Sequence, residues 1–360
     1  MKMSCRESVL LGIVKVSITF CLLTLVSACE SLHFYHQAAR GQAALLWSRI
    51  PTDELLQSKI DPALRDRIEI AGEILGFASD IGLPVRGAYL SYVETGEAYV
   101  VWNVFATKPY ELALETSCFP VAGCVTYRGY FKRDDAGRYA KRLEDKGYEV
   151  YVGGVAAYST LGWFNDPLLD TFLFRSDEKL AALLFHELAH RVVYIKDDTR
   201  FNESLATTIE LYALEKWLLA RGESHRFDRY RLSLARRNSV IALIMQARNR
   251  LGQLYDSGIS VSEMKLNKQA IFQEMRDAYS LLFESWAGGE EFYRWMQEPM
   301  SNAKLETVAD YNELVPLLTV KLEKLGFEQF KRELSRLARL SQSERDAEFS
   351  AFKSVGNTSR

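Results

Sequence analysis

Histidine is scarce in this chain of 360 residues: only His33, His36, His186, His190 and His225 occur. That scarcity excludes a metal site made of three histidines at the long zinc-motif spacing, because the position six residues after His190 is Lys196. Neither charge is in surplus. The 45 basic residues and 47 acidic ones leave a net charge of −2 and a pI near 6.3, so nothing points to a nucleic-acid partner. The basic run from Arg226 to Arg237 has helical spacing and reads as a solvated face. No repeat or low-complexity segment is evident, which excludes solenoids and arrays. The N-terminal apolar run, Val16 to Val26, is short for the roughly 20 residues of a membrane span. An apolar fraction of 48 % suits a globular protein with a sizeable core.

Two of the rare histidines bracket a glutamate in Phe185-His186-Glu187-Leu188-Ala189-His190, an H-E-x-x-H motif. Residues 177–185 before it are rich in Ala and Leu and free of Gly and Pro, which predicts a helix. Side chains four apart share a helix face, so His186 and His190 can aim both imidazoles at one metal ion. Glu187 lies one residue round from the first ligand, placed to act as general base on a water in that site. The flanking apolar residues imply a buried helix, where unpartnered polar side chains would be costly. A metal satisfies both imidazoles at once.

Carboxylates must then complete the site, and Asp197, Asp198, Glu203 and Glu210 are the nearby candidates. Asp197 to Arg200 reads as a polar loop. Glu203 opens a second helix, from Asn202 to about Ala220, able to fold back on the first. Two histidines, a glutamate and an open position form a catalytic zinc set. Glu203 is the favoured third ligand, with Asp197 or Asp198 as alternatives. Glu210, two turns along the same face, is either a partner that orients a ligand histidine or a solvated helix charge.

The segment Asn202-Glu203-Ser204-Leu205-Ala206, with Glu210 behind it, resembles the glutamate-bearing segment of aminopeptidase N-type gluzincins and is similar to that of thermolysin-like enzymes. The gap between His190 and Glu203 is shorter than in either, which points to a compact gluzincin. A wider resemblance, to the predicted aminopeptidase family of bacterial lipoproteins, covers most of the chain. It rests on residues 102–106 (Trp-Asn-Val-Phe-Ala), 118–124 (Cys-Phe-Pro-Val-Ala-Gly-Cys), 127–131 and 158–163, with the H-E-L-A-H and F-N-E-S segments. That resemblance implies a zinc-dependent peptidase, expected as an aminopeptidase.

The first 28 residues read as a leader: Lys2, Arg6 and Lys15, then the apolar run, then Ser27-Ala28-Cys29. Val-Ser-Ala-Cys resembles a lipobox, so Cys29 is the expected lipidated N-terminus of an envelope lipoprotein facing the periplasm. An uncleaved signal anchor is the alternative. Cys118 and Cys124 remain as an even pair in an oxidising compartment, expected as a disulfide, with two buried thiols as the alternative.

The organisation reads as helix, sheet, helix. Residues 35–47 and 62–81 have helical spacing; Gly87 to Ala106 reads as two strands around a hairpin-like turn at 94–97. Gly123 to Phe131 is a further strand, 136–146 a helix and Tyr148 to Tyr158 a strand. From Asn202 onward the chain is nearly all helical. The expected class is α+β, gluzincin-like, with a small mixed β-sheet over the metal-binding helix and a helical C-terminal lobe. The expected divisions are a leader at 1–28, a catalytic part at 29–221 and the lobe at 222–360. In gluzincins the strand at 148–158 is the edge that binds an extended substrate, so Gly153, Gly154 and Ala156 are its candidates. Aminopeptidase N-type enzymes hold the substrate amine with a glutamate there, and no acid occurs between Gly153 and Gly162. The expected mechanism has zinc on His186, His190 and Glu203, Glu187 moving the proton, and Tyr158 or Tyr311 as oxyanion donors. The rival reading is a structural-zinc or non-catalytic lipoprotein that binds a peptide or protein partner.

Overall fold

The computed structural model describes residues 34–119, 123–157, 165–286, 291–308 and 314–357. The leader, Cys29, Tyr158 and Tyr311 lie outside the described residues. Helix α1 (34–47), strand β1 (Ile50–Pro51), α2 (Thr52–Gln57) and α3 (Pro62–Asp80) come first. Strands β2 (Ser91–Val93), β3 (Val101–Thr107), β4 (Ser117–Phe119), β5 (Gly123–Val125) and β6 (Arg128–Tyr130) follow. Next are α4 (Arg133–Glu144), β7 (Glu149–Val155), β8 (Leu168–Leu169), the short α5 (Asp170–Leu173), α6 (Asp177–Ala189) and α7 (Thr199–Ala220). The remainder is helical: α8 (Ser224–Tyr255), α9 (Val261–Ser285), α10 (Tyr293–Gln297), α11 (Asn302–Leu305), α12 (Val315–Leu325), α13 (Phe327–Leu337) and α14 (Gln342–Asn357). Among the described residues, no helix is long and apolar enough to cross a membrane.

The chain is α+β, but its strands divide among three small sheets. One is mixed, in the order β1-β2-β8; one is antiparallel, β6-β3-β7; and β4-β5 form a pair. The hairpin expected around residues 94–97 is therefore absent, since β2 and β3 belong to different sheets. The turn is held by a different device. The Asp170 carboxylate accepts from Thr95 N, Thr95 Oγ1 and Gly96 N at 2.6–3.0 Å, while Tyr92 and Val93 pair in parallel with Leu168 and Leu169. The single strand expected over 123–131 is likewise two, β5 paired to β4 and β6 to β3. A disulfide joins Cys118 to Cys124 across the β4-β5 pair.

Helix α6 carries almost no charge past its first turn because nearly all of it is interior. Leu180, Ala181, Leu184, Phe185, Leu188 and Ala189 are completely buried. Asp177 and Glu178 sit in its first turn, where carboxylates complement the helix dipole. Helix α7 packs along α6 and buries Phe201, Leu205, Ile209 and Trp217 in the same core. That core also takes in residues from α3, α12, α13 and α14, including Phe349, whose ring stacks on Phe201. Helices α8 and α9 build a second apolar cluster around Val240, Ile244, Leu251, Phe272 and Met275.

The basic run on α8 is not simply a solvated face. Arg226 pairs with Glu178, with Glu223 at 2.6 Å and with Asp177 at 3.4 Å, and Arg67 reaches Asp177 at 2.6 Å. The acidic first turn of α6 thus draws arginines from α3 and α8, and this fixes the start of the motif helix.

Candidate metal centre

The site begins with the turn between α6 and α7. Asp198 caps α7, its Oδ1 accepting from Phe201 N at 3.1 Å. The helix consequently starts at Thr199, inside the stretch expected to be loop. Asn202, almost fully buried, clamps the turn: its Oδ1 accepts from Ile195 N at 2.9 Å and its Nδ2 donates to Ile195 O at 2.7 Å. Asp197 takes the left-handed conformation (φ 63°) that lets the chain reverse. Two antiparallel helices thereby meet within a short gap, and Glu203 arrives opposite the two histidines.

Glu203 Oε2 lies 3.3 Å from His186 Nε2 and its Oε1 3.7 Å from His190 Nε2. One ligand atom from each of the three residues lies within 4.8 Å of the others, and among the described residues this is the one such cluster of three or more possible ligands. The other two carboxylates that the sequence offered near this cluster are placed differently. Asp198 Oδ2 is bound by Arg345 at 2.7 and 3.1 Å in a buried ion pair, and Asp197 is exposed.

Glu210 is buried, not solvated, and its Oε2 accepts from His186 Nδ1 at 2.9 Å. That bond orients the His186 ring and leaves Nε2 facing Glu203. Asn202, the other residue expected to orient a ligand histidine, spends its side-chain amide on Ile195 and acts on the turn. The electrostatics follow from crowding two imidazoles and two carboxylates together. Burial works against a charged His186, but hydrogen bonds to Glu203 and Glu210 outweigh it and hold its pKa up at about 10. Burial and the neighbouring His186 push His190 below its ordinary value. Burial would raise Glu203, yet the two histidines keep it below the usual carboxylate range.

The family described as "Putative aminopeptidase" matches residues 33–349. The chain belongs to this family. No curated protein and no solved structure matches it. The family's span takes in the motif helix, the Glu203 helix, all three sheets and most of the C-terminal helices.

The expected substrate strand is β7, an edge of its sheet, which pairs Gly153 with Asn103 and Gly154 with Trp102. Gly154 is required by packing, because a Cβ there would meet the Tyr99 ring at 2.3 Å. Ala156 lies just past the strand, and its carbonyl accepts from Thr171 Oγ1 at 2.5 Å. The strand's only acid, Glu149, is engaged with Lys268 and accepts from Asn302 N at 2.8 Å.

Two residues at the site escaped sequence reading. Tyr230 on α8 donates its hydroxyl to Glu210 Oε1 at 2.6 Å. Tyr89 is buried near Glu187, and its phenol is pushed well up by burial first and then by the charges of Glu187 and Asp166. Its backbone is left-handed (φ 60°), as is that of Arg86 (φ 35°), a strained stretch whose Val85 carbonyl is held at 2.6 Å by Arg191. Neither tyrosine stands out among 18. Only the fold brings them in.

Proposed function

We propose that this protein is a zinc-dependent peptidase, with His186, His190 and Glu203 as the metal ligands and Glu187 as the general base. The observation that carries the reading is the convergence of two imidazole Nε2 atoms and one carboxylate from two packed helices. The donor set suits zinc: two nitrogens and one oxygen, with the other nitrogen of His186 already bonded to Glu210. Among the described residues the cluster offers three ligands, the number that a catalytic site uses while leaving a position open. A bound zinc would supply a Lewis acid and lower the pKa of a water at that position.

The chain's own groups supply the rest. Glu187, half-buried beside His186 on the same helix, receives a proton from the attacking water and returns it to the leaving amine. Tyr89 keeps a protonated phenol near that carboxylate. As an outer strand of its sheet among the described residues, β7 would bind an extended peptide by main-chain hydrogen bonds. Since Glu149 is committed to Lys268 and Asn302, β7 offers no acid to hold a substrate's free amine. Cys29 would anchor the protein by lipid to a bacterial membrane, with the site facing the periplasm.

The test compares wild type with Glu187→Gln on a mixed peptide library, reading cleavage and bound zinc together. Cleavage lost with zinc retained supports the assignment; equal cleavage by both proteins removes Glu187 from the mechanism. Products shortened one residue at a time from the N-terminus identify an aminopeptidase, and internal cuts an endopeptidase.

A further inference from the structure

The proposed centre is tied to α8 through a three-member relay: His186 Nδ1 to Glu210 Oε2 at 2.9 Å, and Glu210 Oε1 to the Tyr230 hydroxyl at 2.6 Å. Each carboxylate oxygen therefore has its own partner. One fixes the imidazole, and the other fixes the carboxylate. Glu210 is only 8 % exposed, so losing the Tyr230 hydroxyl would leave a buried oxygen unsatisfied and free the carboxylate to rotate away from His186.

The same helix also grips α6 one turn earlier. Arg226, four residues before Tyr230, pairs with Asp177 and Glu178 at the start of α6. Tyr230 then acts two turns further along α6, at His186, by way of Glu210. Helix α8 thus holds the motif helix at its N-terminus and at its first ligand, while its C-terminal half is set in the second apolar cluster.

We propose that Tyr230 is a positioning residue for the metal centre: it orients Glu210, which orients His186 for metal binding. This rests on the assignment of His186 as a zinc ligand. Groups that hold a ligand histidine through its second nitrogen alter metal affinity by about 10- to 100-fold when removed. Tyr230 stands one step further out, so the expected loss lies at the lower end.

The test uses full-length wild type, Tyr230→Phe, Glu210→Ala, the double variant and His186→Ala, each titrated with Zn²⁺ against a chromophoric chelator. Tyr230→Phe keeps the ring and is expected to weaken zinc binding by about 10-fold. It should add no further loss in the Glu210→Ala background, because its effect passes through that carboxylate. Unchanged zinc affinity in Tyr230→Phe, with only the melting midpoint lowered, would reduce Tyr230 to a structural role and overturn the proposal. So would an equal loss in both backgrounds. Failure of the underlying assignment is separable: His186→Ala would then bind zinc as tightly as wild type, and the positioning role would fall with it.

Discussion

The ion pair of Asp198 and Arg345 allows a sharp prediction about what holds the turn between His190 and Glu203. Both side chains are 5 % exposed, and the guanidinium meets Asp198 Oδ2 at 2.7 and 3.1 Å. Arg345→Met keeps much of the side-chain volume and removes the charge. Asp198 cannot escape to water, because its Oδ1 is committed to Phe201 N as the cap of α7. An uncompensated carboxylate at such a site costs about 3–5 kcal/mol, against at most about 1 kcal/mol for an exposed pair. Replacing both partners should recover most of the loss in Asp198→Asn/Arg345→Met, since asparagine caps a helix about as well as aspartate. Urea unfolding followed by tryptophan fluorescence reads the difference, with Trp217 buried in α7 as a reporter. A single variant losing less than about 1 kcal/mol, or a double variant as unstable as the single, would refute the reasoning. The same single variant should hold zinc more weakly, because Asp198 lies in the turn between His190 and Glu203.

Asn202→Ala removes both bonds to Ile195 and should cost about 2–3 kcal/mol, with faster zinc loss on dialysis against a chelator; unchanged retention would show that the clamp is irrelevant to the site. Gly154→Ala drives a methyl into the Tyr99 ring and should destabilise by about 1–3 kcal/mol in denaturant unfolding, whereas a neutral result would mean that the ring moves aside freely. Acid stability should depend on Glu333, which the hydrogen bond from Arg336 first, and then Lys321, hold down from 4.5 to about 2. A depressed carboxylate contributes stability above its unfolded value and loses it as pH falls through its folded value. Glu333→Gln should therefore flatten the fall in melting midpoint between about pH 4.5 and pH 2, and an unaltered acid limb would contradict this.

The placement of the motif residues was legible because it depends on local spacing. A helix fixes where side chains four apart point, so His186 and His190 could be placed on one face without a tertiary structure. Glu203 needed only one further element, a helix returning after a short turn, and the family resemblance supported the same residue. What remained hidden depends on packing between distant parts of the chain. Residues 94–97 look like a hairpin turn, but no local signal shows that Asp170, far along the chain, takes their donors and sends β2 and β3 to separate sheets. Arg226 looked solvated because two of its three acidic partners, Asp177 and Glu178, lie more than forty residues earlier; only Glu223 is local. Glu210 was undecided for the same reason: only the approach of α8 and Tyr230 shows that it is interior.

The central claim is that the three convergent ligands bind a metal, and zinc stoichiometry tests it most directly. Full-length protein purified without chelator, and the same protein carrying His190→Ala, would be equilibrated with limiting zinc and assayed for bound metal. The account predicts about one zinc per wild-type chain, as expected for a site of this ligand count, and little or none in the variant. Equal binding by both proteins, or none by wild type, would contradict it.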